Sequence, residues 1–376
     1  MKKILFITGT RADYGKMKTL MREVERSESF EAYIYVSGMH LIETLGNTYH
    51  EVLKDGYKNV YVAYGLANTR VASYDLGDVI CNLTGYVKKV NPDMIVVHGD
   101  RIDALAGAAV GVLNNILVAH VEGGELSGTI DESLRHSISK LAHIHFVSKS
   151  EAKERLIQMG EDKENIYIIG SPDIDVMLSE NLPSIEMVRR RYDINFDQYA
   201  IFMYHPVTTE RERLGSNIKE VVDAVIASKR NYVVIYPNND SGYELILNEF
   251  RRFEMNFSFR VFPSIRFEYF LTLLKNADFI IGNSSAGVRE SSVYGIPDID
   301  IGTRQNRRYS LALSKNIQHV NENKKNIMEA IDAVEKFRVS SMQFGNGCST
   351  ESFIKILHDK KIWGMELQKK FIDFNM

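Results

Sequence analysis

The chain has 376 residues, more than one hydrophobic core normally serves, so its length predicts two domains. Hydrophobic residues make up 44% and charged residues 25%, which are ordinary values for a globular protein. The formal net charge of −3 argues against a nucleic-acid-binding protein that works by bulk charge. No apolar run approaches the roughly 20 residues that span a bilayer, so no membrane partner is expected.

The cysteines and the N-terminus both favour a cytoplasmic enzyme or binding protein. Cys81 and Cys348 lie far apart in the sequence, and such sparse use of cysteine indicates a reducing compartment and no structural metal. The N-terminal sequence MKKILFITGT has a short apolar run without a small-residue cleavage site, and an acid follows at Asp13. It is therefore not expected to be a signal peptide.

The first half of the chain alternates apolar runs with segments of helical periodicity. We predict strands at 3–8, 30–36, 94–97, 116–121, 144–147 and 166–169. The segment 9–16 is the predicted turn into a helix that continues to about 25, and further helices are predicted at 75–90, 103–113, 131–141 and 150–159. Such alternation predicts an α/β domain whose parallel sheet is covered by helices on both faces.

A polar, less periodic region near Ser171–Asn195 contains two prolines, and we place the domain join there. The alternation then resumes, with predicted strands at 200–204, 232–236, 259–262, 279–281 and 298–301. Predicted helices lie at 216–228, 243–253, 267–275, 287–294, 325–337 and 350–357, and a last amphipathic segment at 366–374. The second half therefore predicts a second domain of the same class.

Three carboxylates follow predicted strands in the first half, namely Asp100, Glu122 and Asp131. If these strands are neighbours in one parallel sheet, their carboxyl ends bring the acids to one crevice, where open α/β sheets bind ligands. Local ion pairs are the alternative, since Asp100 could pair with Arg101, and Asp131 with Arg135 one helical turn later.

Four other strand ends carry groups suited to a nucleotide. The turn Gly9–Lys16 offers Arg11 and Lys16 at a helix N-terminus, although it matches neither GxxxxGK[ST] nor GxGxxG, and an ordinary turn is the alternative. The stretch Asn283–Gly287 presents two serines before a helix that carries Glu290; a plain serine cap is its alternative. His205 and Arg304 each follow a later strand.

A metal-dependent or nucleophilic hydrolase is not favoured. No HExxH motif or histidine-rich cluster is present, and His143 and His145 alternate along one predicted strand without an evident third ligand. A GxSxG elbow is also absent. Acids with basic residues nearby fit proton transfer better than a metal site, so we expect neither a metal nor another cofactor.

With these residues assembled, the chain resembles the hydrolysing UDP-N-acetylglucosamine 2-epimerases, bacterial enzymes that supply N-acetylmannosamine for sialic acid synthesis. The resemblance runs nearly end to end and is carried by GTRADYGK, HGDR, HVEGGELSGTIDESLRHSISKLAHIH, IIGSPDIDVM, HPVTTE, YPNND, FPSIRFEYF, GNSSAGVRE and GTRQNRR. It implies two Rossmann-like domains in the glycosyltransferase-B architecture with the active site in the interdomain cleft. The expected bounds are 1–171, 172–362 and a terminal helix at 363–376 that crosses back to the first domain.

The resemblance also implies roles for individual residues. Asp100, Glu122 and Asp131 would form the acid/base set, with Asp100 or Asp131 favoured as the base that removes the C2 proton and Glu122 acting on the other face. Contacts to the UDP-sugar are implied for Arg11, Arg101, His205, Asn238, Ser284, Ser285, Glu290 and Arg304, with Lys16 and Arg135 as further candidates. The related non-hydrolysing epimerases carry a glutamate where we align Asp131, which favours the hydrolysing branch.

The implied reaction eliminates UDP to give 2-acetamidoglucal, then adds water at C1 and returns a proton to C2 on the opposite face. The same chemistry on a UDP-2,4-diacetamido-2,4,6-trideoxyhexose, as in legionaminic acid pathways, is the first alternative. A UDP-sugar glycosyltransferase and a non-catalytic UDP-sugar sensor are the others. Relatives suggest a homodimer or a homotetramer.

Overall fold

The computed structural model describes residues 1–66, 69, 71–127, 130–309, 311 and 313–373. These residues form two compact units, each with its own parallel sheet. The first unit comprises 1–125, 131–178 and 344–376, and the second 126–130 and 179–343. The α/β class with two parallel sheets, predicted from the alternation of strands and helices, is confirmed.

The first unit is built on a seven-stranded sheet in the order β3-β2-β1-β4-β5-β6-β7. Every pairing in it is parallel. The strands are β1 (Lys2–Thr8), β2 (Phe30–Val36), β3 (Val60–Val62), β4 (Met94–His98), β5 (Leu117–Val121), β6 (Ile144–Val147) and β7 (Ile166–Ile168). Its helices before the chain leaves for the second unit are α1 (Arg11–Arg26), α2 (Tyr49–Lys54), α3 (Ala72–Val90), α4 (Ile102–Leu113), α5 (Asp131–Leu141), α6 (Ser150–Gln158) and α7 (Pro172–Met177).

Strand β1 shows why helices cover both faces of this sheet. Successive side chains of a strand point to opposite faces, and all the central positions of β1 are apolar. Ile4 and Phe6 belong to one buried cluster, whereas Leu5 and Ile7 belong to another. A strand that is apolar on both faces is stable only when helices bury both.

The second unit is built on a six-stranded parallel sheet in the order β10-β9-β8-β11-β12-β13. Its helices include α8 (Ile185–Tyr192), α9 (Arg211–Ala227), α10 (Tyr243–Phe250), α11 (Phe267–Lys275), α12 (Ser285–Val288), α13 (Glu290–Tyr294) and α14 (Lys324–Asp332). The strands are β8 (Ala200–Met203), β9 (Tyr232–Ile235), β10 (Phe259–Phe262), β11 (Ile280–Gly282), β12 (Asp298–Ile301) and β13 (Ile317–Val320).

The chain returns to the first unit at Phe344. It then forms α15 (Ser349–Leu357) and α16 (Lys360–Trp363), whose residues Phe353 and Ile362 are buried in the same cluster as β1 and α1. The compact units therefore have other bounds than the predicted domains, because 172–178 and 344–362 pack with the first unit. The predicted helix at 366–374 is wrong for 366–373, which are not helical, and 374 lies outside the described residues.

Several predicted elements have the observed bounds, among them the strands at 30–36, 144–147, 259–262 and 298–301. The polar region near the predicted join is more regular than expected, since it contains α7 and α8. The predicted helix at 287–294 is instead two short helices, α12 and α13. In the described part of the chain, we find no helix with the length and apolarity required to cross a membrane.

Candidate active site

The three predicted acids lie at the carboxyl edge of the first sheet. Asp100 follows β4, Glu122 follows β5, and Asp131 opens α5. Because β4 and β5 are hydrogen-bonded neighbours, their ends meet at one edge. Glu122 is only 2% exposed and Asp131 only 7%. The geometry thus brings the acids to one end of the sheet, as their positions in the sequence predicted.

Arg135 organises this group of acids. Its Nη2 forms an ion pair with the Asp100 carboxylate, and its Nη1 donates a 2.7 Å hydrogen bond to the backbone carbonyl of Glu122. Arg135 also lies one turn after Asp131 in α5. One buried guanidinium therefore connects α5 to the ends of β4 and β5.

Glu122 is held by its backbone and by its side chain. Its φ of +63° lies in the left-handed region, which non-glycine residues rarely adopt, and its amide donates to the Phe146 carbonyl at 2.8 Å. Ser171 Oγ donates to Oε1 of the carboxylate, and His98 Nε2 lies 3.2 Å from Oε2. The carboxylate consequently has a defined position in spite of its nearly complete burial.

His98 and Ser171 were not among the predicted site residues. Both lie inside motifs that carried the resemblance, HGDR and IIGSPDIDVM. Their position at the ends of β4 and beyond β7 was a usable signal, because polar residues after parallel strands reach the same sheet edge. The contacts to Glu122, however, depend on three-dimensional packing.

Arg11 and Lys16, the cations of the first glycine turn, form ion pairs within the first unit. Arg11 pairs with Glu51, and Lys16 Nζ lies 3.1 Å from the Asp173 carboxylate at 9% side-chain exposure. Arg101 is the N-cap residue of α4 and is partly exposed. The role of these three residues as phosphate contacts stays a prediction. For Arg11 and Lys16 it requires that each side chain bind a phosphate while it also pairs with a carboxylate.

Asn283 anchors the predicted UDP-binding group in the second unit. Its side chain bonds the backbone of His205 twice, accepting from the amide at 2.7 Å and donating to the carbonyl at 2.9 Å. Gly282 makes this possible: its φ is +135°, and an added Cβ would lie 1.8 Å from the Met203 carbonyl oxygen. Asn283 lies in one of the sequence motifs but was not among the predicted site residues.

His205 and Asn238 are neighbours in the second unit. The Asn238 amide donates to His205 Nδ1 at 3.0 Å, so in the neutral ring the proton lies on Nε2. On the other side of Asn283, its backbone carbonyl accepts from Arg304 Nη1 at 3.1 Å and from Gln305 Nε2 at 2.8 Å. Three of the predicted UDP contacts, His205, Asn238 and Arg304, are thereby grouped around one asparagine.

Ser284, Ser285 and Glu290 lie on the short helices after β11. Ser284 is the N-cap of α12 and accepts from the Ala286 amide at 3.3 Å, so the capping alternative describes its side chain in this structure. Ser285 is the first residue of α12, and Glu290, only 3% exposed, is the first of α13. Backbone amides at the N-terminus of a helix attract anions, so a contact between this segment and the diphosphate stays a prediction.

No group of three or more His, Cys, Asp or Glu side chains is placed to hold a metal ion among the residues that the structure describes. His145, which sequence analysis considered as a ligand, instead approaches Glu161. The electrostatics at the sheet edge come from carboxylates with arginine, histidine and serine partners. Such an arrangement can exchange protons with a bound molecule.

Comparisons with known proteins show the family of the chain. The sequence model of the UDP-N-acetylglucosamine 2-epimerase family matches residues 22–358. A Neisseria meningitidis protein named UDP-N-acetylglucosamine 2-epimerase is 46% identical over the whole of both chains. The hydrolysing UDP-N,N'-diacetylbacillosamine 2-epimerase of Legionella pneumophila is 32% identical, covering 95% of this chain and 96% of the relative.

A solved structure supports the fold. The chain is similar to the Methanocaldococcus jannaschii UDP-GlcNAc 2-epimerase, crystallised with UDP-GlcNAc and UDP, with a TM-score of 0.80. The match covers 94% of this chain and 99% of that one at 23% identity. Taken with the family match over most of the sequence, the chain belongs to the UDP-N-acetylglucosamine 2-epimerase family.

Proposed function

We propose that this enzyme is a hydrolysing UDP-N-acetylglucosamine 2-epimerase, which converts UDP-N-acetylglucosamine and water to N-acetylmannosamine and UDP. The observation that carries the proposal is the group of acids that Arg135 organises, since hydrolysis with inversion at C2 needs proton transfer on both faces of the sugar. The full-length relative from Neisseria meningitidis supports the choice of substrate.

In the proposed first step, a carboxylate removes the proton on C2 while the C1–O bond to UDP breaks and the electron pair leaves with the diphosphate. The product is 2-acetamidoglucal. Asp100 or Asp131 serves as the base, and Arg135 fixes the Asp100 carboxylate relative to Glu122. Positioning of a reacting group in this way, together with acid–base assistance, accounts for a large part of many enzymatic rates.

In the proposed second step, water adds to C1 of the glycal and a proton enters C2 from the opposite face. We assign Glu122 to this face; Ser171 donates to its carboxylate, and His98 Nε2 lies 3.2 Å from Oε2. Together the two steps convert water and UDP-N-acetylglucosamine to N-acetylmannosamine and UDP, so no oxidant or reductant is required.

The proposed binding of UDP uses the predicted residues of the second unit. His205 Nε2–H, the amides at the start of α12 and Arg304 are donors suited to phosphate oxygens, and Glu290 is suited to ribose hydroxyls. Donors of this kind stabilise the charge that builds on the leaving diphosphate. The proposal requires this group and the acids of the first unit to bind one molecule of substrate. The proposal also includes a cytoplasmic location. It further includes a homodimer or homotetramer, and light scattering of the purified protein tests this oligomeric state.

The test is to incubate pure protein with UDP-N-acetylglucosamine in deuterated water and to follow the sugar by NMR. The expected products are UDP and N-acetylmannosamine with deuterium at C2. Transfer of an unchanged sugar without deuterium would indicate a glycosyltransferase, and binding without turnover a sensor. Either result would refute the proposed reaction.

A second substrate has one observation in its favour, namely the Legionella relative whose name specifies UDP-N,N'-diacetylbacillosamine. The two nucleotide sugars differ at C4 and C6. Parallel assays with both sugars at equal concentration distinguish them through kcat/KM. We expect UDP-N-acetylglucosamine to have the higher value, because the relative named for it has the higher identity, 46% against 32%.

A further inference from the structure

The C-terminal tail after α16 is bound to the far end of the helix that carries Asp131 and Arg135. Lys369 Nζ donates to the backbone carbonyls of Ala142 at 2.6 Å and Lys140 at 2.9 Å, and lies 3.4 Å from that of Ser139. These carbonyls belong to the last turn of α5 and the residue after it. Carbonyls at a helix C-terminus lack partners within the helix, and a cation there interacts favourably with the helix dipole.

The same ammonium group is tied to a buried carboxylate. Lys369 Nζ lies 2.5 Å from Oε2 of Glu161, whose side chain is 2% exposed. Glu161 also contacts Lys140 Nζ at 2.7 Å and His145 Nε2 at 3.1 Å. Burial, the largest single influence, would raise the pKa of Glu161, but the bonds from His145, Lys140 and Lys369 outweigh it and lower this pKa to about 2.

A second contact fixes the tail two residues earlier. His143 Nε2 donates to the backbone carbonyl of Leu367 at 2.9 Å, while its Nδ1 accepts from the Val118 amide at 3.0 Å. Burial lowers the pKa of His143, in keeping with a neutral ring that donates on one side and accepts on the other. The tail is thus attached both to α5 and to the start of β5 and β6.

Helix α5 connects this attachment to the acids. It has 11 residues, and at about 1.5 Å per residue it is about 16 Å long. Its first residue is Asp131, and Arg135 in its second turn binds Asp100 and the carbonyl of Glu122. A helix moves nearly as a rigid rod, so a shift at its C-terminal end is transmitted to both residues.

We propose that Lys369 is a positioning residue of the reaction: by holding the C-terminal end of α5 against Glu161, it keeps Asp131 and Arg135 in register with Asp100 and Glu122. The inference rests on the proposed function. The hydrogen bonds of Lys369 go to α5, Ala142 and Glu161 rather than to Asp100, Glu122 or Asp131, so its effect on turnover is indirect.

The neighbouring lysine provides a matched control. Lys370 has 73% side-chain exposure and pairs locally, with Glu366 four residues earlier. Lys369→Ala is expected to lower kcat about 10- to 100-fold with KM for UDP-N-acetylglucosamine nearly unchanged, because displacement of reacting groups by about 1 Å has effects of this size. Lys370→Ala is expected to leave both constants unchanged.

Rescue separates positioning from a general loss of structure. Methylammonium added to Lys369→Ala should restore part of kcat, and sodium chloride at the same ionic strength should not. Where Lys369→Ala is too unstable to assay, Lys369→Gln is measured well below its midpoint of thermal unfolding. A kcat for both Lys369 variants equal to that of Lys370→Ala, or a loss confined to KM, would overturn the inference.

Hydrogen exchange tests the anchor without turnover. Peptides that cover α5 should exchange faster in Lys369→Gln than in Lys370→Gln. Equal exchange would refute the anchor even in an inactive protein. If the wild-type enzyme does not release UDP, the proposed function fails, whereas exchange in α5 still decides whether Lys369 fixes this helix.

Discussion

Arg135 provides the most direct test of how the acids are held. Arg135→Met removes the ion pair with Asp100 and the 2.7 Å hydrogen bond to the Glu122 carbonyl, while the new side chain still fills much of the space. The side chains of Arg135 and Asp100 are 5% and 15% exposed. The substitution therefore removes a positive charge from the side of a largely buried carboxylate.

The magnitude follows from this burial. Removing one partner of a buried ion pair costs about 3–5 kcal/mol, and the remaining solvent access of Asp100 favours the lower value. We expect a loss of about 3 kcal/mol in the free energy of unfolding. Turnover should fall at least about 100-fold, because Asp100 and Glu122 are no longer held in position by the same side chain. Arg252→Met is the control: its pair with Asp223 has 38% and 28% exposure, and such pairs contribute less than about 1 kcal/mol.

The assay is a double-mutant cycle with Asp100→Asn. Urea unfolding gives the free energies of the two single variants and of the double variant, and release of UDP gives kcat for each. A coupling energy of about 2 kcal/mol is expected, since Asp100→Asn removes the negative charge with which Arg135 pairs. If the losses of the single variants add to within about 0.5 kcal/mol, the ion pair does not act as described.

Three further changes test other parts of the site. Glu122→Gln keeps the shape of the side chain but cannot exchange its proton, so kcat should fall about 10²- to 10⁴-fold while calorimetry finds UDP affinity unchanged. Gly287→Ala places a Cβ 2.3 Å from Asp298 Oδ1, so α12 must shift and UDP should bind more weakly; Gly215→Ala, where an added Cβ meets nothing within 4 Å, should not weaken it. Because folding lowers the pKa of Glu161 to about 2, its stabilisation is complete above the ordinary value of 4.5 and is lost as pH falls towards 2; acid unfolding of Glu161→Gln should lack this part of the pH dependence.

The local pattern of the sequence determined the fold class and the position of the acids along the chain. It also predicted, to within one residue, the bounds of eleven of the thirteen strands in the described part of the chain, but it missed β3 and β13. A strand buried on both faces is apolar at nearly every position, so β1 and β4 were recognisable without tertiary information. The order of elements then required parallel sheets, and parallel sheets collect strand ends at one edge. That is why Asp100 and Glu122 could be assigned to one site from their positions alone.

Tertiary structure alone decided the partners of these residues. Arg135 could have paired with Asp131 one turn away, and its ion pair with Asp100 depends on how α5 packs beside β4 and β5. Other contacts also join residues that lie far apart in sequence. Glu122 bonds to Phe146 through its backbone and to Ser171 through its carboxylate, and Lys369 bonds to Glu161. The strength of such an interaction depends on how deeply the two groups are buried and on the distance between them. A local sequence pattern determines neither quantity. The periodicity of the chain could therefore locate the acids, but only packing could establish what holds them.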